Sequence, residues 1–355
     1  MPFSTPLTSM LPPLEGDLRW MRRCLELAER PGAAVEPNPR VGAVLVYGDK
    51  ILAEGAHTGY GKAHAEVEAL TALKRAMHEG RVSVEEAAGA TLYVSLEPCN
   101  HQGKTPPCTK AILEVGIHKV VVGALDPHPL VQGRGLACLL QAGLEVRGPV
   151  LESACRRTNR HFEINCSQHR PYFTLKWAQS TDGFLDVGGT GPGPTLSSPL
   201  AGLHTHRLRR EHNAILVGAR TLLRDNPNLQ AWRLGPPHPR VVVAADSRPL
   251  SPNLKVFQRT PAPLILPWDS WQEWPALLLE QGLGSVLVEG GAATLNAFLG
   301  HNLWDEIHCW THPDLLAGKG TKAPSLLLGR VQSTHDPALS IVYPQRVPPL
   351  YGEKG

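Results

Sequence analysis

Apolar residues in the first half of the chain alternate between helical and strand spacing. Asp17 opens a stretch in which Met21, Cys24, Leu25, Leu27 and Ala28 keep helical spacing, and Pro31-Gly32 stops it. Residues 41–46 are an unbroken apolar run, which reads as a buried strand. Helix is expected over 64–78, strand over 91–95, helix over 109–115, strand over 119–124 and helix over 136–142. This βα alternation predicts a sheet covered on both faces, with ligands held at strand-to-helix turns.

The pattern changes near residue 150. Residues 152–165 read as a polar connecting helix, and Pro171 precedes a new strand over 172–177. Short apolar runs follow at 214–217, 240–245, 262–266 and 285–288, separated by glycine- and proline-rich loops. The fold class expected is α/β, as two domains in tandem over 17–167 and 168–355. Residues 1–16, rich in proline, serine and threonine at their start, are expected to be a disordered tail and not a signal peptide.

Composition narrows the function classes. A length of 355 residues suits two ordinary domains, and 42% hydrophobic with 19% charged residues is that of a globular protein. A net charge of +3 gives no footprint for a nucleic-acid partner, and no apolar run reaches the roughly 20 residues that span a bilayer. Seven cysteines, odd in number and scattered, do not form a disulfide framework and fit a reducing compartment, so the cytoplasm is expected. A small-molecule substrate is expected, and association into a homo-oligomer is compatible with the sequence.

The chemistry is most explicit in His64-Ala65-Glu66, Pro98-Cys99 and Cys108. One imidazole and two thiolates suit a zinc ion with one coordination position left for water. Zinc lowers the pKa of such a water towards neutrality, and a carboxylate two residues after the histidine is the group that can move its protons. The order H-x-E followed by P-C is that of the zinc deaminases, in which two residues separate the cysteines. Here eight intervene, and a structural site closed by His101 is the alternative. Cys99 is expected at a helix N-terminus, where the dipole favours thiolate.

In the second half, Val286-Leu287-Val288-Glu289-Gly290-Gly291 followed by Ala292-Ala293-Thr294-Leu295 reads as strand, glycine turn and helix. Amide groups at such a helix start suit phosphate. Residues 188–193 fail G-x-G-x-x-G and read as a loop, and the basic run His206-Arg207-Leu208-Arg209-Arg210 reads as a solvated helix face.

These motifs carry a resemblance. Asn38-Pro39-Arg40-Val41-Gly42, His64-Ala65-Glu66, the run from Leu96 to Cys108 and Asp126-Pro127-His128-Pro129 resemble the bifunctional riboflavin-biosynthesis deaminase/reductase family, in which the eight-residue spacer is the usual form. The second half is similar through Leu175-Lys176-Trp177-Ala178-Gln179-Ser180-Thr181-Asp182-Gly183, Asp225-Asn226-Pro227 and Leu287-Val288-Glu289-Gly290-Gly291. The resemblance implies a cytidine-deaminase-like domain followed by a dihydrofolate-reductase-like domain. The first would deaminate a diaminopyrimidinone ribosyl phosphate, and the second would use NADPH to reduce its ribosyl group to ribityl.

By position, the resemblance implies His64, Cys99 and Cys108 as zinc ligands and Glu66 as proton shuttle. Asn38, Lys104, Thr105 and Asp126 would bind the deaminase substrate. Arg209, Leu229 and Glu289 would bind the reductase substrate, with Arg209 on its phosphate. Ala178, Thr195, Thr221, Asp225, Gly291, Ala292, Ala293 and Thr294 would contact NADPH. Two positions depart from the family. Its Ser-x-Trp segment is replaced around Gly193 and Thr195, and an arginine shortly after Leu229 falls on Trp232. A deaminase with an inactive reductase half is the alternative those departures allow. A nucleic-acid deaminase would need a basic, aromatic-rich surface, which 6% aromatic residues do not provide.

Overall fold

The computed structural model describes residues 10–102, 106–129, 131–188, 196–325, 329–332, 334 and 336–344. The chain forms two compact units that divide between Gln168 and His169.

The first unit runs α1 (Asp17–Glu29), β1 (Gly42–Tyr47), β2 (Lys50–Ala56), α2 (Ala65–His78), α3 (Val84–Ala88), β3 (Thr91–Val94), α4 (Cys108–Val115), β4 (Lys119–Val122), α5 (Arg134–Gln141), β5 (Glu145–Arg147), α6 (Glu152–Thr158) and α7 (Arg160–Gln168). Its sheet has the order β2-β1-β3-β4-β5. β1 is antiparallel to β2 and β3, whereas β3, β4 and β5 are parallel. That topology brings four chain segments to one edge: the entry to β1, and the exits from β2, β3 and β4. Met21, Cys24 and Leu27 of α1 and Leu70 and Leu73 of α2 join the strand residues in one buried core.

The sequence pattern missed β2, because Lys50, Glu54 and Gly55 interrupt its apolar residues and its first two positions, Lys50 and Ile51, are exposed. The connecting helix expected over 152–165 is broken at Asn159. There the side chain turns inward, accepting from the Arg40 amide at 2.7 Å and donating to the Arg40 carbonyl at 3.0 Å. Of the tail expected over 1–16, residues 1–9 lie outside the described residues. Residues 10–16 are not loose: Leu11 forms a parallel bridge with Arg147, and its amide donates to Val146 O at 2.9 Å.

The second unit runs β6 (Tyr172–Gln179), α8 (Pro199–Glu211), β7 (Ala214–Gly218), α9 (Ala219–Asp225), β8 (Arg240–Ala245), β9 (Leu264–Pro267), α10 (Trp274–Glu280), β10 (Ser285–Val288), α11 (Ala292–Gly300), β11 (Glu306–Thr311), β12 (Gly329–Gln332) and β13 (Leu339–Pro344). The eight strands lie in the order β12-β13-β11-β6-β10-β7-β8-β9. The run from β11 to β9 is parallel, and β13 and β12 are antiparallel. Each sheet face is buried, one under Trp271, Trp274 and Phe298, the other under Leu208, Leu222 and Leu254. β10 lies between β6 and β7, so the chain order reverses there, which is where open α/β sheets bind ligands.

Candidate active sites

In the first unit the common sheet edge holds a cavity of about 320 Å³ lined by Asn38, His57, His64, Glu66, Cys99 and Asp126, among others. His64 is the N-cap of α2, with extended backbone (φ −73°, ψ 161°), and Glu66 lies in the first turn. The helix therefore points both side chains at the same volume. His64 Nδ1 is 3.2 Å from Cys108 Sγ and 3.6 Å from Cys99 Sγ. Tetrahedral zinc with bonds of about 2.0 Å to nitrogen and 2.3 Å to sulfur needs N···S separations of about 3.5 Å. The residues fit the metal.

Among the described residues this is the one such cluster of ligands, and His101 is not part of it. The closed structural site is not formed. Cys99 does not sit at a helix N-terminus as expected. It lies in the loop before α4, and Cys108 is the first residue of that helix. The thiolate is favoured all the same, because the Cys108 amide points at Cys99 Sγ at 3.5 Å.

The electrostatics divide the two thiols. A hydrogen bond from the Cys108 thiol, then one from His64, holds Cys99 well below the usual thiol range. Cys108 is pushed up by that same bond and by burial. One thiolate is thus available before metal arrives, and binding the metal releases the other proton. Burial first, and the Cys99 charge second, push Glu66 up to about 7. The charge of a dication held by the three ligands would act in the opposite direction. A group poised near neutrality suits proton transfer in both directions.

Asp126 is buried and raised to about 7, by burial ahead of the charges of Glu97 and Cys99. Its loop is held by Glu97, whose carboxylate accepts from the amides of Asp126, Gly133, Gly135 and Leu136. Lys104 and Thr105 lie outside the described residues. The sequence reading missed His57, Tyr60 and Lys62, which also line the cavity, as does His128 of the Asp126-Pro127-His128-Pro129 motif. None stands at a ligand-like spacing from the zinc motif, so only the tertiary fold brings them there.

In the second unit a cavity of about 440 Å³ opens at the carboxyl ends of the parallel strands. Ala178, Thr221, Asp225, Glu289, Gly291, Ala292, Ala293 and Thr294 all line it, as does Lys176. Gly291 caps α11, and its amide donates to Thr221 Oγ1 at 3.1 Å. A Cβ at Gly290 would lie 2.6 Å from Thr294 Cβ, so the turn is as tight as the helix start requires. Free amides at the start of α11 suit the phosphates of NADPH.

Arg209 of α8 holds Glu289 with Nε and Nη2 at 2.7 Å each, and Nη1 donates to Gln230 O at 3.2 Å. Three of its five donors are spent on these partners, and Arg209, expected on the substrate phosphate, is not among the residues that line the cavity; it braces Glu289, which does. Burial alone would raise Glu289, but the Arg209 charge overrides it and holds the carboxylate below its usual range. Burial also lowers Lys176, against the pull of Glu289. Leu229 is 3% exposed and packs in the core with Leu208 and Leu254; it does not line the cavity. Thr195 lies outside the described residues.

Fold and sites together define a bifunctional enzyme, a zinc-dependent deaminase followed in one chain by an NADPH-dependent reductase. The cytidine and deoxycytidylate deaminase zinc-binding region matches residues 14–124, and the RibD C-terminal domain matches residues 171–335. The chain belongs to the riboflavin biosynthesis protein RibD family. It is 37% identical over 345 residues to that protein of Aquifex aeolicus, covering 90% of this chain and 93% of the relative. To that of Escherichia coli it is 32% identical over 343 residues, covering 84% and 88%.

Among solved structures, the diaminohydroxyphosphoribosylaminopyrimidine deaminase/5-amino-6-(5-phosphoribosylamino)uracil reductase of Thermotoga maritima aligns with a TM-score of 0.81 at 31% identity, covering 92% of this chain and 98% of that one. Acinetobacter baumannii RibD aligns with a TM-score of 0.81 at 30% identity, covering 94% and 100%. Both the deaminase and the reductase regions are matched, which does not favour a nucleic-acid deaminase. No helix among the described residues is long and apolar enough to cross a membrane.

Proposed function

We propose that the first unit deaminates 2,5-diamino-6-ribosylamino-4(3H)-pyrimidinone 5′-phosphate and that the second reduces the ribosyl group of the product to ribityl with NADPH. The observation that carries this reading is a His64, Cys99 and Cys108 cluster at the cavity, beside a buried carboxylate that is not among the three. When bound by His64, Cys99 and Cys108, zinc supplies a Lewis acid that makes water acidic enough to ionise near neutral pH. Glu66 takes a proton from the attacking water at its carboxylate and returns protons to the ring nitrogen and the departing amine. Asn38 and Asp126, which line the same cavity, offer hydrogen-bonding groups to the ring and its substituents.

In the second unit, NADPH supplies the hydride. The free amides of Ala292, Ala293 and Thr294 would hold its phosphates, with Thr221 bracing the turn through the Gly291 amide. Glu289, fixed by Arg209, and Lys176 present opposite charges to the substrate side of the cavity. The seven unpaired cysteines support a cytoplasmic setting.

The test is mass spectrometry of products from zinc-loaded protein given the diaminopyrimidinone substrate, with and without NADPH. Deamination in both, with a gain of two hydrogens only when NADPH is present, is the expected result. No deamination by protein that holds zinc would overturn the first assignment, and no hydrogen gain would overturn the second. Glu66→Gln is expected to keep zinc and lose deamination.

A further inference from the structure

His57 follows β2 and is 2% exposed, on the wall of the deaminase cavity. Its two ring nitrogens face different partners. Nδ1 is 2.9 Å from the carbonyl oxygen of Ala63, the residue before the zinc ligand His64. A carbonyl oxygen only accepts, so Nδ1 carries the hydrogen. Nε2 is 3.1 Å from the side-chain nitrogen of Asn38. The remaining ring contact is the edge of His64, at 5.5 Å between centroids. With Nδ1 committed to that carbonyl, the Asn38 NH₂ group that faces Nε2 donates to it, and Nε2 accepts.

That arrangement decides what Asn38 shows the substrate. With its NH₂ group turned to His57, its Oδ1 is left to face the cavity. The backbone on either side of this amide is also pinned, by Asn38 N–H to Val35 O at 3.0 Å and by Asn159 on both backbone groups of Arg40. The side-chain torsions are then what is left to set, and the bond to His57 restrains them.

We propose that His57 is a positioning residue of the deaminase: through its Nδ1–H tautomer it fixes the Asn38 amide so that an acceptor, and not a donor, meets the substrate. The site thereby selects an amino or hydroxyl hydrogen of the substrate at that point and disfavours a carbonyl or bare ring nitrogen there. The inference rests on the deaminase reading of this cavity for its kinetics, but not for its tautomer.

The test has two arms. Nitrogen-15 NMR of the zinc-loaded full chain, without substrate, reads the His57 tautomer directly. Hydrogen on Nδ1 is expected, and hydrogen on Nε2 would overturn the proposal. The second arm measures deaminase kcat and KM for His57→Leu, Asn38→Ala and the double variant, with zinc content as a check on the site. His57→Leu is expected to lower kcat/KM roughly 10- to 100-fold with zinc retained, which corresponds to about 1.4–2.7 kcal/mol. In the Asn38→Ala background the same change is expected to cost less than about threefold, because its route of action is gone.

Equal losses in both backgrounds would show that His57 acts independently of Asn38 and would overturn the proposal. His57→Gln keeps an acceptor near the Nε2 position and is expected to recover part of the loss, which a merely space-filling role does not explain. If His57→Leu fails to fold, the comparison is made with His57→Gln in both backgrounds. If the unmodified protein does not turn the substrate over, the substrate assignment fails, and the tautomer alone decides the positioning claim.

Discussion

Gly55 of β2 lies under the start of α2, and replacing it with alanine tests whether that packing sets the zinc site. A Cβ built there would be 2.2 Å from the carbonyl oxygen of Ala65, 2.4 Å from the amide nitrogen of Ala69 and 2.9 Å from Glu68 Cβ. Cβ atoms essentially never come closer than 3.0 Å to such neighbours, so the helix must retreat by about 1 Å. The obstacles are mostly backbone, and no rotamer change can relieve them. Overpacking of this kind costs about 1–3 kcal/mol. The same retreat carries His64, the N-cap, and Glu66 away from Cys99 and Cys108, whose sulfurs stand 3.6 Å and 3.2 Å from His64 Nδ1.

A displacement of about 1 Å at a reacting group can cost roughly 100-fold in rate, so Gly55→Ala is expected to lose deaminase activity out of proportion to its stability. Urea denaturation, zinc stoichiometry and the initial deamination rate measure the three consequences on one preparation. Gly16→Ala is the control, since nothing lies within 4 Å of its Cβ and its φ of −63° is ordinary for alanine. A Gly55→Ala protein with unchanged stability and full deaminase rate would refute the reasoning.

Three other outcomes follow from the geometry. Glu289→Gln leaves the Arg209 guanidinium, whose side chain is 14% exposed, without its counter-charge. A loss of about 3–5 kcal/mol in the reductase unit is expected, with reduction lost and deamination kept; a change below about 1 kcal/mol in urea melts would contradict it. His204 is held down at about 4, by burial first and by His308 second. Its folded pKa lies below the unfolded value of about 6.5, so its stabilising effect is complete above pH 6.5 and is lost as pH falls towards 4. The difference corresponds to about 3 kcal/mol, and His204→Gln should flatten the acid limb of the reductase unit's stability profile measured by urea midpoints. Chelation of zinc is expected to abolish deamination while leaving reduction of supplied deaminated product intact; deamination by zinc-free protein would contradict the ligand assignment.

Much of the chemistry was legible in one dimension because zinc constrains residue type and order together. Few side chains bind it well, and His64, Glu66, Cys99 and Cys108 keep the order a deaminase needs. Parallel strands were equally legible, since burial on both faces makes them continuous apolar runs, as in residues 214–217 and 285–288. β11 was not: Glu306 and His308 are interior residues, yet they read as polar until His204, Tyr172 and Tyr343 are seen to pair with them. β12 and β13 were missed with it.

The sequence by itself determined the two α/β units, the metal and the carboxylate beside it, because these depend on local spacing and on the chemistry of single side chains. The tertiary structure decided where those groups face. It moved Cys99 off the helix start, put Leu229 in the core, and engaged Arg209 with Glu289. It also brought His57 to Asn38, because β1 and β2 run antiparallel and deliver the entry of one and the exit of the other to the same edge. Such a meeting depends on strand direction and register, which no local pattern of residues encodes.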